Sequence, residues 1–472
     1  MSGAPLELLA RLAAQHGRAW LVGGAVRDEL LKCPTLDYDI AVEGDVEGLA
    51  RALARAGPGH PFRLSEAFGA WRVRARHGAW QVDLTPLSGS TLEEDLGRRD
   101  LTVNAIARGL ATDGQRGGSE LIDPFGGVAD VRARRLRMVG PRSFSADPLR
   151  TIRLARLAVE LQFEVDEQTA REAAASAPAL RGVAQERVFA ELCRIVRSDR
   201  AVSGLRLMER LGVSAAVLPE LVALRGIEQS DYHHLDAYEH TLAVLGETIR
   251  LQEDPGLVLG AAGGEVAAVL GEPLANDLTR GGGLRFGALL HDIAKAGTRA
   301  VNESGRVSFY GHDVLGATMA SEILTRLRAS ERLTAHVAAL TRNHLRLGFL
   351  VHERPLPRRV LYAYLAACEP VEVDVTAFSV ADRLATLGRN SDRAVELHLE
   401  LARELIHDAL AWRASRPRPP IRGDVLGRAI GVRPGPELGQ LLEELTIAAY
   451  AQEIQDEEQA LGHARAWLAG SR

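Results

Sequence analysis

The stretch Leu21–Val42, LVGGAVRDELLKCPTLDYDIAV, constrains the fold of this chain more than any other. An apolar run stops at two glycines and gives way to a helical period, the pattern of strand, glycine turn and helix. LDYDIAV then alternates as a second strand. Asp37 and Asp39 fall on one face of it, because side chains two apart along a strand point the same way. Residues 1–20 read as an amphipathic helix. FRLSEAFGAWRVRARHGAWQVDLTPL, from Phe62, reads as two more strands, the second ending at Asp83. The expectation is an α+β fold that opens with a small mixed sheet and flanking helices.

A chain of 472 residues is too long for one core and implies roughly three domains. From Val131 onward strand signals fade and an Ala-, Leu- and Arg-rich, helical sequence takes over. The net charge of −5 announces no nucleic-acid partner in bulk. Val131–Arg156 nevertheless holds eight arginines, at 132, 134, 135, 137, 142, 150, 153 and 156, against Asp147 alone. This is a local basic patch. GAAGGEVAAVLGEPLANDLTRGGG, Gly260–Gly283, reads as a mobile insertion, and RASRPRPPIRGDVLG as a Pro-rich linker to a final helical piece. Cys33, Cys193 and Cys368 are too scattered for a disulfide framework or a thiolate zinc site, which fits a cytoplasmic protein. No apolar run reaches the roughly 18 residues that a membrane helix needs.

Two carboxylates on one strand face can hold divalent cations against the oxygens of phosphoryl transfer, and Mg²⁺ prefers such a pair plus substrate phosphates. Gly23 and Gly24 let backbone amides approach a triphosphate at a helix N-terminus, and Arg27 would face the phosphates. The order GG, VRD, DxD resembles the polymerase-β-like nucleotidyltransferases, specifically the bacterial tRNA CCA-adding enzymes and poly(A) polymerases (class II tRNA nucleotidyltransferases). Further motifs follow in that family's order. EEDLGRRDLTVNAIA resembles its sugar motif, implying Arg99 on phosphate and Asp100 with Asn104 on a ribose hydroxyl. SADPLRTIRLAR resembles EDxxR, which implies that Asp147 and Arg150, three apart on a helix, read the base, with Arg153 and Arg156 extending toward triphosphate or RNA. Ala146 stands where the family generally has Glu, which loosens the expected hold on Arg150. Asp83 is either a third carboxylate or a strand-end residue. DPFGGVADVRARRLR is similar to the hinge before the neck, and QERVFAEL to the neck-closing motif, with Glu186 and Arg187 structural.

A second constellation lies downstream: His240, His291 with Asp292, His312, His344 and Asp382, in helical contexts such as GALLHDIAK. Imidazoles mixed with carboxylates suit divalent metals and an activated water. The order resembles the HD phosphohydrolases, implying His240, His291, Asp292 and Asp382 as ligands of a transition metal or Mg²⁺. His312 and His344 are then substrate contacts, support for the ligands, or ligands of a second metal. The alternative is a degenerate domain that only grips RNA. His233 and His234 stay unassigned. The tail, IRGDVLGRAIGVRPGPELGQLLEEL, resembles the C-terminal segment of HD-bearing members.

The resemblance implies a nucleotidyltransferase head at 1–125, an all-α neck at 126–215, an HD body at 216–400 and a helical tail at 401–472. The implied reaction is template-independent addition of cytidine to the 3′ end of tRNA from CTP, with ATP used as well where the full CCA is made. The segment between Asp83 and Arg98 lacks the excursion that usually switches specificity from C to A, pointing to members that add only the two cytidines. The rivals are full CCA addition, addition of A alone, poly(A) polymerase, and an HD hydrolase with a regulatory RNA-binding head.

Overall fold

A computed structural model describes residues 5–66, 68–110, 121–229, 235–386 and 391–470. His233 and His234 lie outside these residues. The α+β expectation holds. Seven strands, β1 (Gly17–Val22), β2 (Asp37–Gly44), β3 (Gly59–Ser65), β4 (Ala70–Ala75), β5 (Gln81–Pro86), β6 (Ala107–Gly109) and β7 (Leu121–Ile122), form one sheet in the order β3-β4-β5-β2-β1-β6-β7. Only β2 and β5 run parallel; the other pairs are antiparallel. Helices α1 (Pro5–His16), α2 (Gly24–Leu30) and α3 (Val46–Ala56), and later in the chain the helix Leu92–Gly97, flank it.

The first helix stops at His16, short of the expected residue 20. Gly17 has φ +128, and a Cβ there would lie 2.2 Å from the Glu43 carbonyl oxygen, so only glycine lets β1 begin beside β2. Where two strands were expected after residue 60 there are three, because Gly69, at φ +60, reverses the chain between β3 and β4. Asp83 is therefore in the middle of β5, not at its end. One face of the sheet buries Ile40, Val73, Val82 and Leu84, and α3 lies against β3, β4 and β5 with Leu49 and Leu53 buried. On the other face Trp20, Val22 and Ala41 pack with Leu96, Ala105 and Ala107. Asp37 and Asp39 share that second face, where the core ends and solvent begins.

The chain divides into two compact units, residues 1–184 with 203–217, and residues 185–202 with 218–472. In the second, His240 lies on the helix Ala237–Glu253, His291 caps the helix Arg280–Leu290, His312 opens His312–Arg326, His344 caps Glu331–Asn343, and Asp382 sits on Glu372–Ala385.

The Gly-rich segment Gly260–Gly283 is not a mobile insertion. It folds into the helix Gly263–Gly271, a short hairpin, and the start of the wholly buried helix Arg280–Leu290. Its glycines serve close packing: a Cβ on Gly283 would come within 2.7 Å of Leu274 and 2.8 Å of His336. The Pro-rich linker is borne out as the non-helical stretch between Ser391–Ala414 and Gly423–Ile430. Beyond it, three short helices close their own core around Leu426, Leu441 and Leu445.

Candidate functional site

In the sheet unit, register fixes the neighbours of the aspartates. Asp39 lies opposite Asp83 on β5 and Val22 on β1, and Asp37 opposite Gln81. Three carboxylates thus crowd one corner. Asp83 is clamped by Arg72 of β4 through two bonds of 2.6 Å, Nε to Oδ1 and Nη2 to Oδ2. Crowding by protein atoms raises the pKa of Asp39. Arg99 and Arg153 oppose that rise, and Asp83 and Asp37 reinforce it. The side chain still reaches solvent, so this marks an anionic corner prepared for a cation and not a permanently neutral group. That observation supports a divalent ion between Asp37 and Asp39.

Gly23 makes the turn beside them at φ +74 and ψ −137, and a Cβ there would meet the Arg99 Nη1 at 2.8 Å and the Asp39 Oδ2 at 3.4 Å. The turn is therefore a slot occupied by Arg99, itself held by Asp95 through Nη2 at 3.1 Å. A Cβ on Gly24 would lie in ordinary contact with Arg27, 3.4 Å from its Nη2. The guanidinium of Arg27, expected to face phosphates, is instead buried, with Nε and Nη2 donating to Asp28 and Nη1 donating to Asn104 at 2.6 Å. Asn104 in turn donates to Asp100 at 2.9 Å, and Asp100 meets Arg153 at 3.0 Å. Burial alone would raise the Asp100 pKa, but Arg153 and Asn104 hold it below the usual carboxylate range.

Asp147 and Arg150 are not on one helix. The helix Ser143–Ala146 ends before Asp147, which is extended because Pro148 follows, and the helix Arg150–Leu161 starts afresh. The hold on Arg150 that Ala146 leaves out is supplied by three backbone carbonyls, of Arg98 (2.7 Å), Arg99 (3.1 Å) and Ser143 (3.0 Å). Arg156, expected to reach triphosphate or RNA, is buried and bonded to Glu160 at 2.6 Å. Arg135 and Arg137 converge on the fully buried Asp130. Of the eight arginines in the expected basic patch, these four and Arg153 make contacts inside the unit. The patch is mostly spent.

In the helical unit the structure brings together all six residues of the second constellation. Two groups form, His240 with His291 and Asp382, and Asp292 with His312 and His344, the ligand atoms of each within 4.8 Å of one another. Asp292 joins them: its Oδ2 is 3.1 Å from the His291 Nε2 and 3.6 Å from the His240 Nε2, and its Oδ1 is 3.3 Å from the His312 Nε2. The fit to metal is seen in the tautomers. His291, His312 and His344 each direct Nδ1 to a carbonyl three residues back, of Ala288, Phe309 and Thr341 at 2.7–2.9 Å. Such a bond makes Nδ1 the protonated nitrogen and turns the Nε2 lone pair inward. The Nε2 atoms of His312 and His344 then face each other at 3.3 Å, an arrangement that asks for a cation between them.

Burial lowers the His344 pKa to about 4, helped by His291, so that ring is neutral at physiological pH. Burial would also lower His291, but Asp292 and Asp382 outweigh it and raise the value. Asp292 itself, despite burial, is pulled well down by His291 and Lys295. Lys295, whose Nζ is 2.6 Å from Asp292 Oδ2, was missed in the sequence, as were Arg72 and Asp95. The signal for Lys295 was its i+3 spacing from Asp292. For Arg72 there was none without the strand register.

Three family descriptions match in chain order: "Poly A polymerase head domain" over residues 19–137, "Probable RNA and SrmB-binding site of polymerase A" over 162–224, and "HD domain" over 237–387. The A-adding tRNA nucleotidyltransferase of Deinococcus radiodurans is 35% identical over 463 residues, covering 95% of each chain. This chain belongs to the tRNA nucleotidyltransferase family. Other family members aligned over nearly the whole chain differ in what their names say they add. The CC-adding enzyme of Thermus thermophilus is 33% identical over 96% of this chain and 94% of its own. The Multifunctional CCA protein of Xanthomonas campestris pv. campestris is 32% identical over 92% and 98%. Among solved structures, an apo CCA-adding enzyme aligns over 98% of this chain and 93% of its own, with TM-score 0.67 at 21% identity, and the Thermotoga maritima enzyme complexed with tRNA aligns with TM-score 0.62 at 22%. The fold is theirs. Among the described residues no helix is long and apolar enough to cross a membrane.

Proposed function

We propose that the chain adds cytidine, two residues in succession, to the 3′ end of tRNA from CTP with release of pyrophosphate. Asp37 and Asp39 are the residues assigned to hold Mg²⁺. When bound there, that ion supplies charge neutralisation at the α-phosphate and a more acidic 3′-hydroxyl. The chain's own groups do the rest. Arg99, locked by Asp95 into the Gly23 slot, is placed to receive the triphosphate together with the amides at the start of α2. Asn104, steered by Arg27 and Asp100, is set to meet the ribose. Asp147 and Arg150 read the base edge. Arg150 has its three-carbonyl anchor in place of the family's Glu, and an acceptor beside a five-donor fork suits the Watson–Crick edge of cytosine. Head, neck, body and tail are assigned to residues 1–125, 126–215, 216–400 and 401–472.

The observation that supports CC addition is the short connection after β5. Pro86 ends the strand, and Thr91 already caps the next helix, accepting from the Glu94 amide at 3.2 Å, while Glu94 accepts from the Ser90 amide at 2.8 Å. Leu87–Thr91 leaves no excursion to switch specificity. A second reading, addition of the terminal adenosine, is favoured by the name of the Deinococcus relative. Since relatives aligned over nearly the whole chain are nucleotidyltransferases, neither poly(A) synthesis nor an HD hydrolase with a merely regulatory head is carried further. The HD cluster is assigned a second, metal-dependent phosphoester hydrolysis, for which His240, His291 and Asp382 would hold one divalent ion and Asp292, His312 and His344 another, supplying an activated water.

Incubating the protein with tRNA transcripts ending before the first C, the second C and the A, each with labelled CTP or ATP, decides the matter. Incorporation of CTP that stops after two residues is expected. ATP incorporation only onto the transcript ending in CC would move the chain to the A-adding reading, and no incorporation at all would falsify nucleotidyl transfer.

A further inference from the structure

The strand register places the carboxylate corner at one edge of a longer surface. Residues directly opposite across a sheet share a face, so two rows run outward from β2. One is Asp39, Asp83, Arg72, Phe62, and the other is Asp37, Gln81, Arg74, His60. Each row leaves the anionic corner, passes a guanidinium on β4 and ends on a ring on the edge strand β3. Phe62 is 46% exposed, an unusual state for a phenylalanine on a sheet, and His60 and Arg74 are exposed as well. Over these residues lies an open cleft of about 580 Å³, whose wall continues through Arg76 and His77. Four cationic or titratable groups therefore surround one exposed ring. The opposite face of the same strands buries Val73 and Ala75, so the exposure of this face is not general disorder of the edge.

Phosphoryl transfer needs the attacking and leaving oxygens roughly in line. On the nucleotidyl-transfer reading proposed above, on which this inference rests, the triphosphate sits on the β1 side of Asp39, with Gly23 and Arg99. The attacking 3′-oxygen must then come from the β5 side. From β2 to β3 is three interstrand spacings, about 14 Å. At about 3.4 Å per stacked nucleotide that is the reach of a few unpaired residues. We propose that the face formed by Phe62, His60, Arg72 and Arg74 binds the unpaired 3′ end of the RNA acceptor, its bases stacked on Phe62 and its phosphates on Arg74 and Arg76, so that the last hydroxyl lies at Asp37 and Asp39. Rings interleaved with guanidiniums are how single strands are held without sequence readout. Arg72 also acts indirectly, because its clamp on Asp83 keeps the third carboxylate from repelling the incoming strand.

The test uses the full chain and an RNA acceptor ending before the first added nucleotide. Phe62→Ala should raise the KM for RNA about tenfold while the KM for CTP and the kcat at saturating RNA stay within about twofold, and Phe62→Tyr should restore the RNA value. Arg74→Ala should lower the slope of log affinity against log salt by about 0.7, the amount expected for one phosphate contact to a single strand. An unchanged RNA KM in the Phe62→Ala, Arg74→Ala double variant, or a parallel rise in the CTP KM, would overturn the platform. Fluorescence anisotropy with a short single-stranded RNA separates this failure from that of the transfer reading. If the double variant binds it as tightly as the parent, the platform is wrong. If the parent binds it better but incorporates no nucleotide, the surface stands as an RNA site and the reaction assigned to it does not.

Discussion

Gly23 carries more of the head site than its size suggests. Its backbone lies at φ +74 and ψ −137, in territory that costs a residue with a side chain about 1–3 kcal/mol, and the missing Cβ is the space in which Arg99 lies against Asp39. Gly23→Ala should therefore lower kcat/KM for CTP at least tenfold with little change in circular dichroism. An unaltered CTP dependence would show that Arg99 does not touch the nucleotide.

His336 makes a different kind of statement. Burial pushes it from 6.5 to about 4, against the pull of Asp374, whose Oδ1 is 3.5 Å from its Nε2. The folded value lies below the unfolded one, so the unfolded chain takes up the proton first. The stabilisation is complete above about pH 6.5 and is lost as the pH falls toward 4. A displacement of that size corresponds to about 3 kcal/mol at most. Urea midpoints measured between pH 7 and 4.5 should fall in the parent chain and fall less in His336→Gln; identical slopes would mean that this ring does not titrate in the window.

At the scale of the element, glycine content misleads when read as looseness. Gly283 and Gly264 belong to the same Gly-rich stretch, yet a Cβ on Gly283 meets Leu274 and His336 below 3 Å while one on Gly264 meets nothing within 4 Å. Overpacking costs about 1–3 kcal/mol, whereas removing glycine's freedom at a compatible site gains about 0.4–1 kcal/mol. Gly283→Leu should lower the thermal midpoint and Gly264→Ala should raise it slightly; a loss at both would return the segment to a glycine-dependent loop. The same stretch explains what could be read in advance. Strand, turn, helix and strand from Gly17 to Gly44 were legible because periodicity and punctuation are local. So were the six residues of the His and Asp cluster, whose types are rare on helices in that order. What failed to show was partnership across the chain. The arginines of Val131–Arg156 look like a basic surface until Asp130, Asp100, Glu160 and three carbonyls are found to occupy them. Pro148 breaks the helix that the spacing of Asp147 and Arg150 suggested.

Across the whole molecule, the two metal chemistries proposed above draw on two separate sets of residues. Asp37, Asp39, Arg99 and Asn104 all belong to the unit of residues 1–184 with 203–217, and His240, His291, Asp292, His312, His344 and Asp382 all belong to the other. No side chain serves both. Effects of substitutions without shared partners add rather than couple, so the two centres should be separable in one full-length protein. Asp292 is the most economical point of attack, because its two oxygens face both histidine groups. Asp292→Asn keeps the shape and removes the bridging charge. It should cut bound manganese or cobalt, measured by elemental analysis after dialysis, by at least half, abolish hydrolysis of a model phosphodiester, and leave CTP incorporation within about twofold of the parent. Asp37→Asn with Asp39→Asn should do the reverse, ending incorporation with the dialysis-resistant metal intact. If the Asp292 variant lost incorporation as well, while its far-UV spectrum and thermal midpoint matched the parent, the two sites would have to be coupled through the fold, and the assignment of independent chemistries to the two units would fail.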